Sequence, residues 1–405
     1  MWRNRDFRLV WVGHTLSDFG SGVSQLAFPL LALALTGSPV VAGLVGAARA
    51  MPYLLLGLIA GALVDRWDRK RVMIVCDLCR AVNIATIPLA LWLGELGVAH
   101  LVLTAFLGGV FYVFFSAAEE SCLPNVVGKE QLTAAVSARE TASSTVNVVA
   151  PTLGGALFAL GRGLPFVADA LSYLASALCL SFVRAPFRRD DAPPAAGGDL
   201  RAEILDGLRW LWNHSALRLI AVTGAGLQVA ISGIGLVVIV SARQAGASPA
   251  AIGVMFTAIG VGGVAGAVVA PWVKKRLGLG GMLLSVLWAQ AALWVLMAFS
   301  THLVVIAVIL GLFTVSMPLF GIAVLSYRLE VTPDHLLGRV GTAFSMLIWG
   351  ATPIGTVLAG WLLDRLTPMT TSLVFAGWVV ALSAVASLGR GLRSLGQRVD
   401  DAATG

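Results

Sequence analysis

His14 and Asp18 stand four residues apart in a run, Leu9–Leu35, that is otherwise mostly apolar. On a helix that spacing lets two side chains meet, and an imidazole beside a carboxyl can pass a proton near physiological pH. An Asp at the centre of a membrane helix costs roughly 2.5–3.5 kcal/mol on the insertion scale. Such residues face a bundle interior or a wet path for ions or substrate. The same two residues also read as a hydrogen-bonded polar pair that moves no proton. Glu119, Glu120 and Asp169 are further embedded carboxylates and further proton-coupling candidates. Arg49, an embedded cation, can pair with Asp18, with Asp169 or with an anionic substrate, or can reach outward along its own stem; a structural ion pair is expected. Asp77 and Arg80, at i, i+3, are expected to neutralise one another and to do nothing more.

Other chemistries lack their parts. Cys76-x-x-Cys79 has no second ligand pair, so no metal site is expected. No GxxxxGK[ST] phosphate loop is present, and no nucleophile stands with a base and an orienting carboxyl. The chain reads as neither an enzyme nor a cofactor protein.

The elements that must hold these residues are membrane helices. The 405 residues are 58% hydrophobic and 12% charged, about half the charge of a soluble protein. A bilayer span needs about 20 apolar residues, and runs of that length fill the chain. Six are expected in the first half: Leu9–Leu35, Val40–Val64, Val72–Leu93, Leu101–Leu123, Leu132–Leu160 and Pro165–Val183. Six follow in the second: Leu217–Ser241, Ala251–Val273, Met282–Phe299, Leu303–Ser326, Val340–Leu363 and Thr371–Leu388. The runs are too long and too continuously apolar for barrel strands.

The net charge of +7 does not form a nucleic-acid face, because the basic residues are dispersed at the ends of apolar runs. Most lie in segments that alternate with outer loops holding Arg162, Arg243 and Arg365. The positive-inside rule therefore puts both termini in the cytoplasm. Residues 184–198, rich in Arg, Asp, Pro and Gly, read as a linker. Asp199 is a candidate N-cap for an amphipathic helix with Leu200, Ile204, Leu205, Leu208, Leu211 and Trp212 on one face, lying along the inner membrane surface.

One stretch organises the chain. Gly61-Ala-Leu-Val-Asp65-Arg66-Trp67-Asp68-Arg69-Lys70-Arg71 returns, degraded, as Gly266-Ala-Val-Val-Ala270-Pro271-Trp272-Val-Lys274-Lys275-Arg276. Two halves are therefore related, each with a basic loop after its second span. The expected fold is all-α: twelve transmembrane helices in two pseudo-symmetric six-helix bundles, residues 1–185 and 216–389. A cytoplasmic linker with its helix occupies 186–215, and a cytoplasmic tail 390–405.

That stretch resembles the G-x-L-x-D-R-x-G-R-K loop of the major facilitator superfamily. Gly61, Leu63, Asp65, Arg66, Arg69 and Lys70 match, and Asp68 stands at the usual Gly. Leu35-Thr-Gly-Ser-Pro39, Ala48-Arg49-Ala-Met-Pro52 and Leu123-Pro124 are similar to the branch that holds macrolide and enterobactin exporters. Ala150-Pro151-Thr-Leu-Gly154-Gly155 resembles the end of the antiporter motif, with Ala at its first Gly. The resemblance implies a gate: Asp65 held at the start of span 11, near Gly338-Arg339-Val340, with Arg66 and Arg69 meeting Glu119 or Glu120. It implies hinges at Pro151, Gly154 and Gly155 on span 5 and at Pro353, Gly355 and Gly360 on span 11; close packing without motion fits those residues too. It also implies a substrate cavity from spans 1, 4, 7 and 10, with candidates Gln25, Phe28, Phe111, Tyr112, Phe115, Gln228, Phe313 and Met317.

The function so implied is export of a small hydrophobic or amphipathic compound across the cytoplasmic membrane, in exchange for protons, by alternating access. The alternatives are a siderophore or other metabolite exporter and, from a different class, a transport-inactive sensor or scaffold. The partners expected are a small-molecule substrate, protons and the lipid bilayer, with no nucleic acid; the chain is expected to be a monomer.

Overall fold

The computed structural model describes residues 2–64, 66–128, 131–184, 200–333 and 336–388. Asp65, Asp199, nearly all of the expected linker and the tail from 389 onward lie outside them. The chain is a succession of helices: α1 Arg5–Thr36, α2 Pro39–Val64, α3 Arg69–Leu93, α4 Val98–Val126, α5 Leu132–Leu160, α6 Leu164–Ser181, α7 Leu200–Asn213, α8 Ser215–Gln244, α9 Pro249–Phe299, α10 Leu303–Val331, α11 Leu337–Arg365 and α12 Pro368–Leu388. Among the described residues eleven helices are long and apolar enough to cross a bilayer. α9, at 51 residues, holds the eighth and ninth expected spans in one element, broken where Gly278 takes φ 65°, ψ −179°. The twelve spans are thus carried by eleven helices.

Local chemistry sets the helix ends. Asn4 caps α1, its side-chain oxygen accepting from the amides of Asp6 and Phe7, while its amide nitrogen donates to the Val126 carbonyl at 2.9 Å. Asp68 caps α3 by accepting from the amides of Lys70 and Arg71. This accounts for an Asp at the position the family pattern gives to Gly: here the turn ends by starting a helix. Lys70 donates to the carbonyls of Ser181 and Val183, at 3.0 and 2.7 Å, at the C-terminal end of α6. A cation there answers the helix dipole. Lys70→Met should therefore lower stability by about 1 kcal/mol, read as a fall in the melting temperature of the detergent-solubilised protein; an unchanged melting curve would discard the capping role.

The chain divides into two compact units, residues 1–196 with 247–257, and residues 197–246 with 258–405. In the first, α1 packs against α6, α5 and α2, and α3 against α4 and α6. A core of Phe7, Val10, Val64, Met73, Phe115 and Leu180 fills one end. In the second, α8 packs against α11 and α12, and α7 against α11. Polarity runs opposite to that of a soluble protein: Val82 and Trp92 are 70% and 82% exposed, while Asp77 and Asp169 are at most 1% exposed. Only an apolar surrounding makes that arrangement stable.

The amphipathic helix is present as α7, but its buried side faces protein. Leu211 is fully buried, and a side chain at Gly207 would meet the Arg339 carbonyl at 2.5 Å. Asp206 lies 3.7 Å from Arg339. Trp212, expected on the apolar face, is half exposed. Gly207, with no side chain, lets α11 approach α7 on one side.

The antiporter-like stretch of α5 is a packing surface. A side chain on Gly154 would meet the Val23 carbonyl of α1 at 2.5 Å, and one on Gly155 would collide with the Pro249 carbonyl at the start of α9. Thr152 and Thr257 share a hydrogen bond of 2.7 Å beside them. Pro151 lies inside α5 and Pro353 inside α11. In the second unit Gly355 of α11 sits against the Val229 carbonyl of α8, and Gly360 is buried. α5 on α1 and α11 on α8 thus repeat one contact, a glycine against a carbonyl, at corresponding places in the two halves.

Candidate functional site

The first unit gathers its polar side chains into one interior cluster. His14 sits between two carboxylates: Nε2 is 2.9 Å from Asp18 Oδ2 on the next turn of α1, and Nδ1 is 3.2 Å from Glu119 Oε1 on α4. The second contact is close enough for an ion pair, although Nδ1 makes no hydrogen bond. Arg139 of α5 reaches the other Glu119 oxygen at 3.2 Å. The four side chains form a line, Asp18–His14–Glu119–Arg139, across three helices. Its Asp18 end is 28% exposed and its middle is buried, His14 at 11% and Glu119 at 6%. His14 also stacks on Phe115. A small cavity of about 100 Å³ adjoins the line and is lined by Asp18, Tyr112, Glu119 and Arg139 among others.

Arg80 lines the same cavity and anchors a second network. It is 4% exposed, donates to Ser17, Ser21 and Tyr173 at 3.4, 3.0 and 2.8 Å, and lies 3.5 Å from Asp77. Its guanidinium carbon stands 4.0 Å from the Tyr173 ring centre and 5.6 Å from those of Tyr112 and Phe115. Ser21 and Tyr173 hydrogen-bond to each other at 2.9 Å. The Asp77–Arg80 pair expected from their spacing exists, but it is one side of a junction joining α1, α3 and α6. Asp169 lies deep in the same bundle, 1% exposed, with both carboxyl oxygens lacking a hydrogen bond.

Some expected partnerships are not made. Arg49 forms no ion pair with Asp18 or Asp169 among the described residues; its guanidinium lies over the Phe28 ring at 5.6 Å, and Phe28 packs edge-on against Phe166. An aromatic face takes the place of a carboxylate. Glu119 meets Arg139 and His14, not the basic loop, because its side of α4 faces α1 and α5. Glu120 is exposed, as are Arg66 and Trp67, and Arg69 is half-buried at the start of α3; Asp65 lies outside the described residues. Gly61 has open space where a side chain would go.

The expected cavity residues separate. Tyr112 and Phe115 border the small polar cavity. Gln228 and Met317 border a larger one, about 280 Å³, within the second unit, and Gln228 donates to Thr352 at 3.0 Å. Phe313 is buried against Trp294, Phe111 packs at the edge of the first unit's core, and Gln25 is exposed. Phe313 fails as a lining residue because Trp294 of α9 occupies the space in front of its ring. Arg80, Tyr173 and Arg139 are the members that sequence spacing did not assign to the site. Arg139 carried the one available signal, a charge near the start of an apolar run.

Residues 2–403 match the model of a family described as transmembrane secretion effectors. The chain belongs to the major facilitator superfamily. Curated relatives of this facilitator include the multidrug efflux pump Tap of Mycolicibacterium fortuitum, 30% identical over 396 residues that cover 93% of each chain. A Tap pump of Mycobacterium tuberculosis is 29% identical over 405 residues, covering 96% of this chain and 94% of that one. Macrolide efflux protein A of Streptococcus pyogenes is 25% identical over 219 residues, 54% of each. Among solved structures, the nucleoside transporter NupG superposes with a TM-score of 0.79 at 13% identity, over 95% of this facilitator and 99% of that chain. A bacterial homologue of the iron transporter ferroportin in an inward-facing state gives 0.71 at 17% identity, over 94% and 98%. At such identities the structures speak for the fold, which is that of a twelve-span membrane transporter.

Proposed function

We propose that this facilitator exports a hydrophobic or amphipathic compound, a drug or antibiotic, across the cytoplasmic membrane in exchange for protons, as a monomer with both termini inside. Relatives named as multidrug and macrolide efflux proteins support the cargo class. The observation that carries the proton half is His14 held between Asp18 and Glu119 at 2.9 and 3.2 Å inside a membrane bundle. An imidazole with a carboxyl on each side can take a proton at one nitrogen and release one at the other, and Asp18 is the more exposed of the two carboxyls that border the adjoining cavity. Arg139 fixes the far carboxyl, so that a proton entering at Asp18 changes the balance of the whole line. The basic loop, through Asp65, Arg66 and Arg69, serves as the inner latch. Individually weak ion pairs, roughly 0.2–1 kcal/mol each, suit a latch that must reopen. Rocking of the two bundles about the glycine contacts of α5 and α11 supplies alternating access.

The test uses inside-out membrane vesicles energised to an acid interior. A pH-sensitive dye reports proton release as antibiotics, lipophilic dyes and siderophores are added in turn. Wild-type vesicles should release protons on addition of a transported compound, and Asp18→Asn vesicles should fall to the level of vesicles without the protein. Release that survives in the variant would move the proton site away from Asp18, to Glu119, Glu120 or Asp169. Compound uptake with no proton release would reject antiport.

A further inference from the structure

The second unit contains a compartment remote from the carboxylate line in sequence and opposite in chemistry. Its cavity of about 280 Å³ is bordered by α8, α9, α10 and α11, near the lower end of the roughly 300–1,000 Å³ typical of small-ligand pockets. Its walls are apolar, with Leu227, Met317, Phe320, Ile348 and Trp349 prominent. One formal charge enters the lining, that of Arg328 on α10. Among the described residues this guanidinium has no carboxylate within ion-pair distance, and its Nε is buried without a hydrogen-bond partner. The contrast with Arg80 is sharp, since Arg80 meets an Asp, two Ser and a Tyr. The Arg328 guanidinium lies across Gly341 of α11, where a side chain's first carbon would come within 3.4 Å of it. A first side-chain carbon at 341 would only touch the head group, so a branched residue is needed there to push it away from the cavity.

We infer that this compartment binds an amphipathic organic anion, its carboxylate or phosphate head on Arg328 and its apolar body against Met317, Phe320, Ile348 and Trp349. A guanidinium beside an apolar wall with no counter-charge is costly in a membrane protein. A planar anion would supply both the charge and the acceptors that the side chain lacks, in the two-point geometry for which Arg is suited. The inference deepens the reading of the protein as an exporter of amphipathic compounds and rests on it for calling the ligand a cargo. The chemistry is shared by a transported acid and by an anionic lipid of the bilayer.

The experiment measures equilibrium binding to the purified full-length protein in nanodiscs of phosphatidylcholine, with no pH gradient. Three matched probes are used: 2-naphthoate, the neutral 2-naphthamide and the cationic 2-naphthylmethylamine. Wild type should prefer the naphthoate. Arg328→Gln should weaken naphthoate by roughly 10- to 100-fold and leave the naphthamide affinity unchanged, while Arg328→Lys should be intermediate. Gly341→Val keeps the arginine but displaces its head group, so it should lose naphthoate binding as well and provides the answer if Arg328→Gln does not fold. Adding phosphatidylglycerol to the nanodiscs separates the sources: competition with naphthoate marks a lipid occupant, and none marks a soluble acid. Naphthoate binding equal in wild type, Arg328→Gln and Gly341→Val, or a wild-type preference for the cationic probe, would overturn the inference. Because no proton gradient is applied, that failure leaves exchange with protons standing, and a failure of proton exchange leaves this binding result standing.

Discussion

Arg80→Leu should give a protein that reaches the membrane but unfolds far more readily, with a loss on the order of 3–5 kcal/mol, the cost of removing one partner from a buried charge pair. The side chain removed is the junction of α1, α3 and α6. Its loss strands Asp77, which is fully buried and whose second oxygen already has no hydrogen bond. It also takes from Tyr173 and Ser21 the donor that orients them. Unfolding of the purified protein by increasing mole fraction of dodecyl sulfate, followed by circular dichroism, gives the number. The pair can be isolated with Asp77→Asn and the double variant. If Asp77 and Arg80 act as a unit, the double variant should be more stable than Arg80→Leu alone, and the cycle should return a coupling of about 1–3 kcal/mol. An Arg80→Leu protein within about 0.5 kcal/mol of wild type, the range of an ordinary surface change, would reduce the junction to a chance contact.

The second large effect is expected from the smallest change. Gly154→Ala adds one methyl group, and its carbon would stand 2.5 Å from the Val23 carbonyl oxygen and 3.3 Å from the Val23 Cα. Those are backbone atoms of a packed helix and cannot rotate aside as a side-chain tip would. Overpacking of this kind costs about 1–3 kcal/mol, and any movement of α5 across α1 should be blocked at the same point. Gly61→Ala is the matched control: glycine again gives way to alanine in a membrane helix, but with open space around the new carbon. The control should melt at or above the wild-type temperature, since alanine favours helix over glycine by up to about 1 kcal/mol. Equal melting temperatures for the two variants would show that the α1–α5 contact is loose, and would remove the packing argument for a hinge there.

These two sites differ in how far the sequence announced them. The runs of apolar residues are long enough that twelve spans could be placed without any tertiary information, since a bilayer imposes its thickness on composition. His14 and Asp18 could be paired because helical spacing alone brings them together. Glycines 154 and 155 were visible as a small face, although the atoms they approach were not. Arg80 shows where such reading stops: its i, i+3 neighbour Asp77 satisfied the local rule, and nothing local points to Tyr173, which arrives from α6. Nothing local to Arg139 on α5 points to its partner Glu119, which lies on α4. Arg49 went the other way, with carboxylates proposed as partners and an aromatic ring found. Pairings across helices depend on the rotation of each helix about its axis, which in a chain apolar on nearly every face is only weakly encoded by periodicity.

The break in α9 constrains how this gene can drift. Gly278 holds a backbone conformation that, among the common residues, essentially only glycine adopts. A base change at the first or second position of a glycine codon yields Ala, Val, Ser, Cys, Asp, Glu, Arg or Trp, and every one of them has a β-carbon, or else a stop. No one-step neighbour in codon space preserves the joint between the two spans. Changes at the third position of the codon are silent, so divergent copies of this gene should carry synonymous variation at codon 278 while the amino acid stays fixed. Gly97, an exposed loop glycine whose φ is not positive and around which a side chain would have open space, should show no such contrast.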